Sequence, residues 1–348
     1  MNIALKEMKK NKVRFFILGL IVFLISFLTF IISGMANGLS QDNASLIKNL
    51  PDGTFYMAED AEQKYNFSNI DQTTQEDMLD KQKDAVALSI QMGTLNDMED
   101  KLQSVAFVTT TESNTFSLFP RVDKGEVVLD ESMKEKGVKV GDKLTNNQYS
   151  GEFVVKGFVD GSKFNHASVA FINTDDYKEM YRLDESQLIY VPDKGASQEI
   201  AADDLQSFSN TEFLNTISSY STEQQTLNMI IWFLVGISGM LFAIFFYMMN
   251  VQKIGLYGIL KAMGTKTSLL FRMMWTQMGV ITIIAMGIAI VASNLLNVYN
   301  PGMPYYLSAE NTVFLSVMFI IIGFIGTTLS GIQIKKVEPL QAIQRGED

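Results

Sequence analysis

Four long apolar runs without charge at their centres constrain this chain more than any other feature of its sequence. Each is about 20 residues long or longer, which is the length of α-helix that crosses the hydrocarbon core of a bilayer. A charge buried at the bilayer centre costs a few kcal/mol, so a spanning helix needs an uncharged centre. The runs are Phe15–Gly34, Leu227–Met249, Met273–Leu296 and Thr312–Ile334. The sequence therefore predicts an α-helical membrane protein with four transmembrane helices in a 1+3 arrangement.

The distribution of basic residues predicts the orientation of these helices, because Lys and Arg in short loops mark the cytoplasmic side. The segments before the first run, between the second and third, and after the fourth are basic, whereas Val298–Asn311 contains no Lys or Arg. Both termini are therefore predicted to be cytoplasmic and residues 35–225 extracellular, in a multi-pass protein of the plasma membrane. This outer part carries 33 acidic and 16 basic residues, a balance that favours solubility.

Apolar periodicity divides the chain further. Residues 1–14 alternate apolar residues and lysines at near-helical spacing, which is typical of a helix lying at a membrane surface. The first transmembrane helix is predicted to continue until Pro51-Asp-Gly53 ends it, and residues 197–226 are predicted to enter the second span as one helix. The predicted domains are 1–14 cytoplasmic amphipathic helix, 15–50 first helix with its extracellular stalk extension, 51–196 extracellular domain, 197–249 stalk and second helix, 250–272 cytoplasmic segment, 273–334 third and fourth helices, and 335–348 cytoplasmic tail.

A cleavable signal peptide is the alternative interpretation of the basic N-terminus. Such peptides have an apolar region of about 7–15 residues. The apolar run here, Phe15–Gly34, is longer, and a retained transmembrane helix is therefore the prediction.

The outer domain is predicted to be α+β. Its predicted strands are Ser104–Thr110, Glu126–Leu129, Glu152–Val159, Ser168–Asn173 and Leu188–Val191. Its predicted helices are Asp130–Lys136 and Tyr177–Tyr181, the second one capped by Thr174-Asp-Asp. The chain contains no Cys, so this domain must fold on its hydrophobic core without disulfides.

Enzymatic sites are not indicated by the sequence. The Gly- and Lys-containing stretch Gly137–Leu144 lacks the Ser or Thr that would hold Mg²⁺ in a nucleotide-binding loop. With one His and no Cys, the chain also lacks the ligands of a typical zinc site. We therefore expect a membrane subunit without catalytic residues and without a metal site.

A short basic segment, Lys253-Ile-Gly-Leu-Tyr-Gly-Ile-Leu-Lys-Ala-Met-Gly264, follows the second apolar run. A small helix of this kind at the membrane surface suits mechanical contact with another protein. The segment resembles the coupling segment of ABC transporter permeases of the MacB/FtsX type (type VII), whose usual form is close to EIGILKALG; the acidic residue that opens that form is missing here. The resemblance implies a separate ATPase, contacted through Lys253, Gly258, Lys261 and Gly264.

The outer domain resembles the same family. Gly125–Met133, Gly137–Leu144 and Phe153–Phe158 are similar to its "GEVVLSE", "GD.L" and "F.VVGI" elements. The dipeptide Gly141-Asp142 by itself would indicate only a turn. The ending Lys335–Ile343 is also similar to that of these permeases, so the resemblance covers nearly the whole chain.

A narrower resemblance concerns haem-efflux permeases of Gram-positive bacteria. It rests on Ser33–Leu39, Phe164–Val169 and Ser219–Met229. It implies haem as the substrate and no permanently bound cofactor. Haem needs an apolar slot and an oxygen, sulfur or nitrogen ligand near its iron, and weak ligands suit a cargo that must be released. The candidate haem-binding residues are Met35, Asp42, His166, Tyr220, Glu223 and Met229.

Each candidate also has an ordinary structural explanation. Most methionines pack, a lone His is commonly hydrogen-bonded, and Asp42 could be a solvated surface residue. Tyr220 and Glu223 share one helical face with Leu227. Gly34 and Gly38 form a small-residue face, which predicts close approach of a partner helix.

The resemblances together imply the permease subunit of an ABC exporter. We expect a homodimer in the lipid membrane with two copies of a separate ATPase and no nucleic-acid partner. Mechanotransmission would squeeze haem, captured from the outer leaflet, outward. Two alternatives stay open: a MacB-like exporter of peptide, lipid or antibiotic, and an FtsX-like permease that transports nothing and activates a cell-wall hydrolase.

Overall fold

The computed structural model describes residues 2–96, 101–111, 119–193, 204–299 and 303–336. The chain divides into two compact units. The helical unit comprises Met1–Gly38 and Gln225–Asp348, and the α/β unit comprises Leu39–Gln224. The predicted cytoplasmic tail lies outside the described residues from position 337 onward, as do the first residues, 197–203, of the predicted stalk helix.

The helices of the described ranges include both long apolar elements and short ones. They are α1 (Asn2–Lys10), α2 (Lys12–Lys48), α3 (Gln72–Lys81), α4 (Ser132–Glu135), α5 (Thr174–Tyr181), α6 (Asn210–Thr216), α7 (Ser218–Val251), α8 (Ile254–Ala262), α9 (Thr267–Tyr299) and α10 (Ala309–Lys336). In the described part of the chain, α2, α7, α9 and α10 are long and apolar enough to cross a membrane. With the α/β unit inserted between the first and second of them, they confirm the predicted fold class.

Large apolar side chains join three of these helices in the core of the helical unit. Phe15 and Leu18 of α2 belong to the same buried cluster as Phe246 of α7 and Met274 of α9. The outward faces remain apolar, with side chains such as Phe16 70% exposed. Apolar residues on both the inner and outer faces are what a helix in a lipid solvent requires.

Glycines let α7 and α10 approach closely. A Cβ added to Gly326 of α10 would lie 2.7 Å from the backbone oxygen of Gly239 in α7. Such contacts between small residues are a common means of helix association in membranes, because they allow dense packing of the two backbones.

A ten-stranded mixed sheet forms the centre of the α/β unit. Its strands are β1 (Gly53–Ala58), β2 (Val86–Asn96), β3 (Leu102–Thr110), β4 (Glu126–Asp130), β5 (Lys143–Thr145), β6 (Glu152–Val159), β7 (Lys163–Phe164), β8 (Ala167–Ile172), β9 (Leu188–Pro192) and β10 (Leu205–Ser209). The order is β10-β1-β9-β2-β3-β8-β4-β6-β5, with β7 paired to β8. Only the β3–β8 and β4–β6 pairs are parallel among the recorded pairings of the described strands.

In the described ranges, side chains on this sheet contribute to three buried clusters, and the two largest share no residue. One buries Phe55, Ile90 and Phe171 together with Ile47 from the end of α2 and Phe213 from α6. The other buries a different set, including Phe107 and Phe153 with Tyr177 of α5. Because the end of α2 takes part in the first core, the extension of this helix beyond the apolar run is held by hydrophobic packing.

Two sequence predictions are wrong. The continuous helix over 197–226 is replaced, from residue 204 onward, by strand β10, helix α6 and a break at Ile217, where φ is −77° and ψ is 102°. Pairing of β10 with β1 and the capping box between Ser209 and Glu212 stabilise that alternative. Helix α5 begins at Thr174, so its N-cap is Asn173, whose side chain accepts a hydrogen bond from the Asp175 amide at 2.9 Å.

Candidate functional site

The site begins where the end of α2 is distorted. Ala44 has non-helical backbone angles, with φ −145° and ψ 21°. The neighbouring groups are turned toward the β7–β8 hairpin: the Asn43 carbonyl accepts from the Asn165 amide at 2.7 Å, and Ser45 Oγ accepts from the Lys163 amide at 2.8 Å. These two bonds fix the hairpin against the helix.

The hairpin turn itself consists of Asn165 and His166. Both residues have positive φ, 50° and 61°, which is the backbone of a two-residue type I′ turn. Asn and His are among the few non-glycine residues that are enriched in this region. The turn therefore presents the imidazole of His166 to α2 and α7.

His166 bridges two carboxylates. Its Nδ1 lies 3.4 Å from Asp42 Oδ2 and its Nε2 lies 3.4 Å from Glu223 Oε2. The amide of Asn43 donates to Glu223 Oε2 at 3.2 Å and also lies 3.2 Å from His166 Nε2. A neutral ring would accept from Asn43 and donate to Asp42, whereas a protonated ring would donate to both carboxylates.

The network extends in both directions from this centre. Lys163 forms an ion pair with Asp42. One helical turn before Asn43, Ser40 donates to the hydroxyl of Tyr220 at 3.2 Å, and Lys48 donates to Ser40 at 2.9 Å. All of these residues belong to the α/β unit. Of the six predicted haem-binding residues, Asp42 and Glu223 thus meet at His166, and Tyr220 lies one helical turn before Glu223 on α7.

The two predicted methionines belong to the other unit. Met35 lies on α2 and is partly buried, and Met229 lies on α7 with 54% of its surface exposed. Four further members of the network, Ser40, Asn43, Lys48 and Lys163, are not among the residues predicted from the sequence. No pattern in the sequence marks them, because their partners lie far along the chain.

The ionisable side chains of this network contact one another within the chain. Asp42, Glu223, Lys163 and His166 all have side chains that are 21–38% exposed. The two carboxylates approach opposite nitrogens of one ring rather than a common point. Across the described ranges, no group of three His, Cys, Asp or Glu residues could hold a metal ion. The site can therefore exchange ionic partners, and it does not form a metal cage from these residues.

The predicted coupling residues lie in and around α8. Lys253 precedes the helix and forms an ion pair with Glu7 of α1, both side chains being at most 15% exposed. Burial lowers the pKa of Lys253 to about 8. Gly258 is buried within α8, Lys261 lies in its last turn, and Gly264 has φ +86° just after its end. Of the four, Lys253 is thus committed to a contact within the chain.

The face formed by Gly34 and Gly38 packs within the helical unit. A Cβ on Gly34 would lie 2.2 Å from the ring of Tyr305, and one on Gly38 would lie 2.2 Å from the carbonyl oxygen of Pro304. The Gly34 carbonyl also accepts from the Tyr306 amide at 2.9 Å. The close approach is therefore made by the segment between α9 and α10 of the same chain, and not by the partner helix that the sequence suggested.

Comparison with known proteins identifies the class. Residues 228–339 match the FtsX-like permease C-terminal family. An HrtB protein of Staphylococcus haemolyticus (strain JCSC1435), provisionally assigned as the permease of a hemin transport system, is 30% identical over 359 residues, covering 99% of both chains. HrtB proteins from two Staphylococcus epidermidis strains, with the same provisional assignment, are 28% identical over 356 residues and cover 100% of both chains.

Among solved structures, the periplasmic region of MacB from Actinobacillus actinomycetemcomitans aligns with 48% of this chain and 92% of its own, with a TM-score of 0.35 and 13% identity. The FtsX-like domain and the four apolar helices define an ABC transporter permease, a multi-pass membrane protein. The chain belongs to the HrtB family of these permeases, as its full-length identity to the Staphylococcus haemolyticus protein shows. The predicted membership of the MacB/FtsX type is confirmed.

Proposed function

We propose that this protein is the membrane subunit of an ABC efflux transporter that exports haem. The observation that carries the proposal is the full-length similarity, 30% identity over 99% of both chains, to a permease assigned provisionally to hemin transport. Relatives at this level of identity share a fold, and their cargo is the natural first hypothesis.

The network around His166 supports this hypothesis chemically. Haem carries two propionates and an iron that accepts oxygen, nitrogen or sulfur ligands. Lys163 and His166 are cationic or potentially cationic partners for propionates, while Tyr220, Glu223 and Asp42 offer oxygen ligands. Within the chain some of these groups neutralise one another, as in the Lys163–Asp42 pair. Met35 and Met229 are proposed as additional ligands on the helical unit.

The energy for export is proposed to come from two copies of a separate ATPase acting on a homodimer of this chain. Closure of the ATPase pair would move the coupling segment around α8, including Lys253, Gly258, Lys261 and Gly264. Helices α2 and α7 each contain residues of both units, so a displacement of the helical unit would be passed to the α/β unit along these two helices. In this mechanism haem enters from the outer leaflet and is expelled outward.

The test is a hemin titration of the purified full-length permease, followed by Soret absorption. We expect a saturable shift that is weakened at least several-fold by Glu223→Gln and by Tyr220→Phe. Glu76→Gln and Tyr149→Phe are the matched controls, because they make the same chemical changes at an exposed site on α3 and in the second core of the sheet. Neither control should change the titration.

A broad change that does not saturate, like that of hemin in detergent alone, would remove haem as the cargo. Transport of a peptide, lipid or antibiotic, or activation of a cell-wall hydrolase, would then be the function to test next. A saturable shift that is equally strong in all four variants would support haem as the cargo but would reject the network around His166 as its binding site.

A further inference from the structure

The helical unit contains a large groove that the transport mechanism does not use. It has a volume of about 910 Å³ and is lined by α1, the first turns of α2 and the middle of α9. Its apolar walls include Phe16, Leu20, Ile284 and Ile288, which are 45–70% exposed. Walls of this kind suit an apolar occupant such as a lipid acyl chain.

The rim of the groove is cationic. Lys6, Lys9 and Lys12 line it at the side of α1. All three are exposed, and among the described residues none of their ammonium groups has a hydrogen-bond or ion-pair partner. The one carboxylate on α1, Glu7, is directed to Lys253 and Gln277 instead, accepting from Gln277 Nε2 at 2.9 Å. The rim therefore presents positive charge without internal compensation.

An apolar trough that ends in a cluster of unpaired lysines has the chemistry of a phospholipid site. Basic pockets next to transmembrane helices on the cytoplasmic side bind anionic headgroups. Lysine stems can also lie along apolar surface while their ammonium groups reach the interface. Charge complementarity thus selects a lipid with a net negative headgroup over a zwitterionic one.

We propose that this groove binds one anionic phospholipid, with an acyl chain along Gly19, Leu20 and Ile284 and the headgroup phosphate between Lys6, Lys9 and Lys12. Gly19 leaves the space for the chain: a Cβ at this position would meet only Ile281 Cγ2, at 3.7 Å. Since α1 is also joined to Lys253 before the coupling helix, the bound lipid would stabilise α1 in the position seen here.

The test uses the purified, delipidated full-length permease in detergent, titrated with dioleoylphosphatidylglycerol or dioleoylphosphatidylcholine while its thermal midpoint is measured. We expect a saturable rise in Tm with the anionic lipid and little change with the zwitterionic one. The double variant Lys6→Gln/Lys9→Gln should lose most of that rise. Lys10→Gln/Lys266→Gln, which removes the same charge from exposed positions outside the groove, should keep it.

A second variant tests the apolar part without changing charge. Gly19→Leu places a side chain in the open trough and should reduce the rise in Tm, although the unliganded protein remains folded. Equal responses to the two lipids, or equal losses in the two double variants, would overturn the proposal in favour of general surface charge. If neither lipid acts and Gly19→Leu changes the oligomeric mass, the groove is covered by a second copy of the chain.

Discussion

The position of His166 depends on backbone conformation as much as on side-chain chemistry. A positive φ is uncommon for residues other than glycine, yet Asn165 and His166 both adopt it, at 50° and 61°. Their two-residue turn is anchored by the Asn165 amide on the Asn43 carbonyl. A single histidine in a loop thereby acquires three polar neighbours, Asp42, Asn43 and Glu223, that no local pattern could have indicated.

Gly38 allows a close contact that a larger residue would prevent. In Gly38→Ala the new methyl group would lie 2.2 Å from the carbonyl oxygen of Pro304, so α2 and the segment between α9 and α10 must move apart. We expect destabilisation by about 1–3 kcal/mol, as for other overpacked sites. Chemical unfolding of the permease in mixed micelles measures it.

Gly236→Ala is the control for this prediction, because nothing lies within 4 Å of its Cβ position in α7. There the higher helix propensity of alanine should be neutral or stabilising by up to about 1 kcal/mol. Equal effects of the two substitutions would show that the contact with Pro304 does not contribute to stability.

At the scale of elements, α1 and the segment before α8 are connected by the Glu7–Lys253 ion pair. Both side chains are largely buried, so removing one partner leaves the other charge without compensation. We expect Glu7→Gln to destabilise the permease by about 3 kcal/mol, the lower end for a buried pair broken on one side. The double variant Glu7→Gln/Lys253→Met should recover much of that loss, which a double-mutant cycle measures.

The pH dependence of the destabilisation caused by Glu7→Gln is a second test of the buried-charge explanation. Burial lowers the folded-state pKa of Lys253 to about 8 from its ordinary value of 10.5. The folded protein therefore releases this proton before the unfolded chain does, and stability increases as the pH rises. In Glu7→Gln the ammonium also loses its counter-charge, so its folded-state pKa falls further, and the destabilisation should be largest below that pKa and diminish as the pH rises toward 10.5. A loss that does not change with pH would contradict the buried-charge explanation.

Element prediction succeeded where alternation was clear. Glu152–Val159 was predicted as a strand and forms β6 with the same bounds. Strand β10, in contrast, was taken for part of a helix, because Leu205–Ser209 alternates only weakly and is held in the sheet by pairing with β1. This pairing depends on a strand about 150 residues away in the chain. The β-propensity of the local sequence therefore cannot predict it.

At the scale of the whole molecule, the predicted orientation can be tested directly because the chain contains no Cys. Lys136→Cys introduces one thiol at an exposed site of the α/β unit, and Lys266→Cys introduces one between α8 and α9. On intact cells, a membrane-impermeant maleimide should label only the first variant. The second should react only after permeabilisation, because the basic loop is predicted to be cytoplasmic.

The cysteine-free parent protein is the control for this measurement, because the label that it retains is the non-specific background. Labelling of Lys266→Cys on intact cells, with protection of Lys136→Cys, would reverse the orientation. The proposed route of export from the outer leaflet would then have to be abandoned, while the family assignment would stand.

The sequence by itself determined the membrane architecture. A spanning helix is a local property of about 20 consecutive residues, because the bilayer acts as a solvent that each helix meets separately. The family could be recognised for a similar reason, since the Lys253–Gly264 segment and the Gly125–Met133 block are contiguous. Candidate residues such as Tyr220 and Glu223 followed from the spacing along one helix.

Only the tertiary structure decided which candidates meet. The contacts of the network join residues separated by 121 positions for Lys163 and Asp42, 123 for His166 and Asn43, and 180 for Glu223 and Asn43. The same holds for Gly38, whose close neighbour turned out to be Pro304 of its own chain. Such contacts result from sheet pairing, a distorted helix end and core packing acting together, and a one-dimensional pattern contains none of these distances.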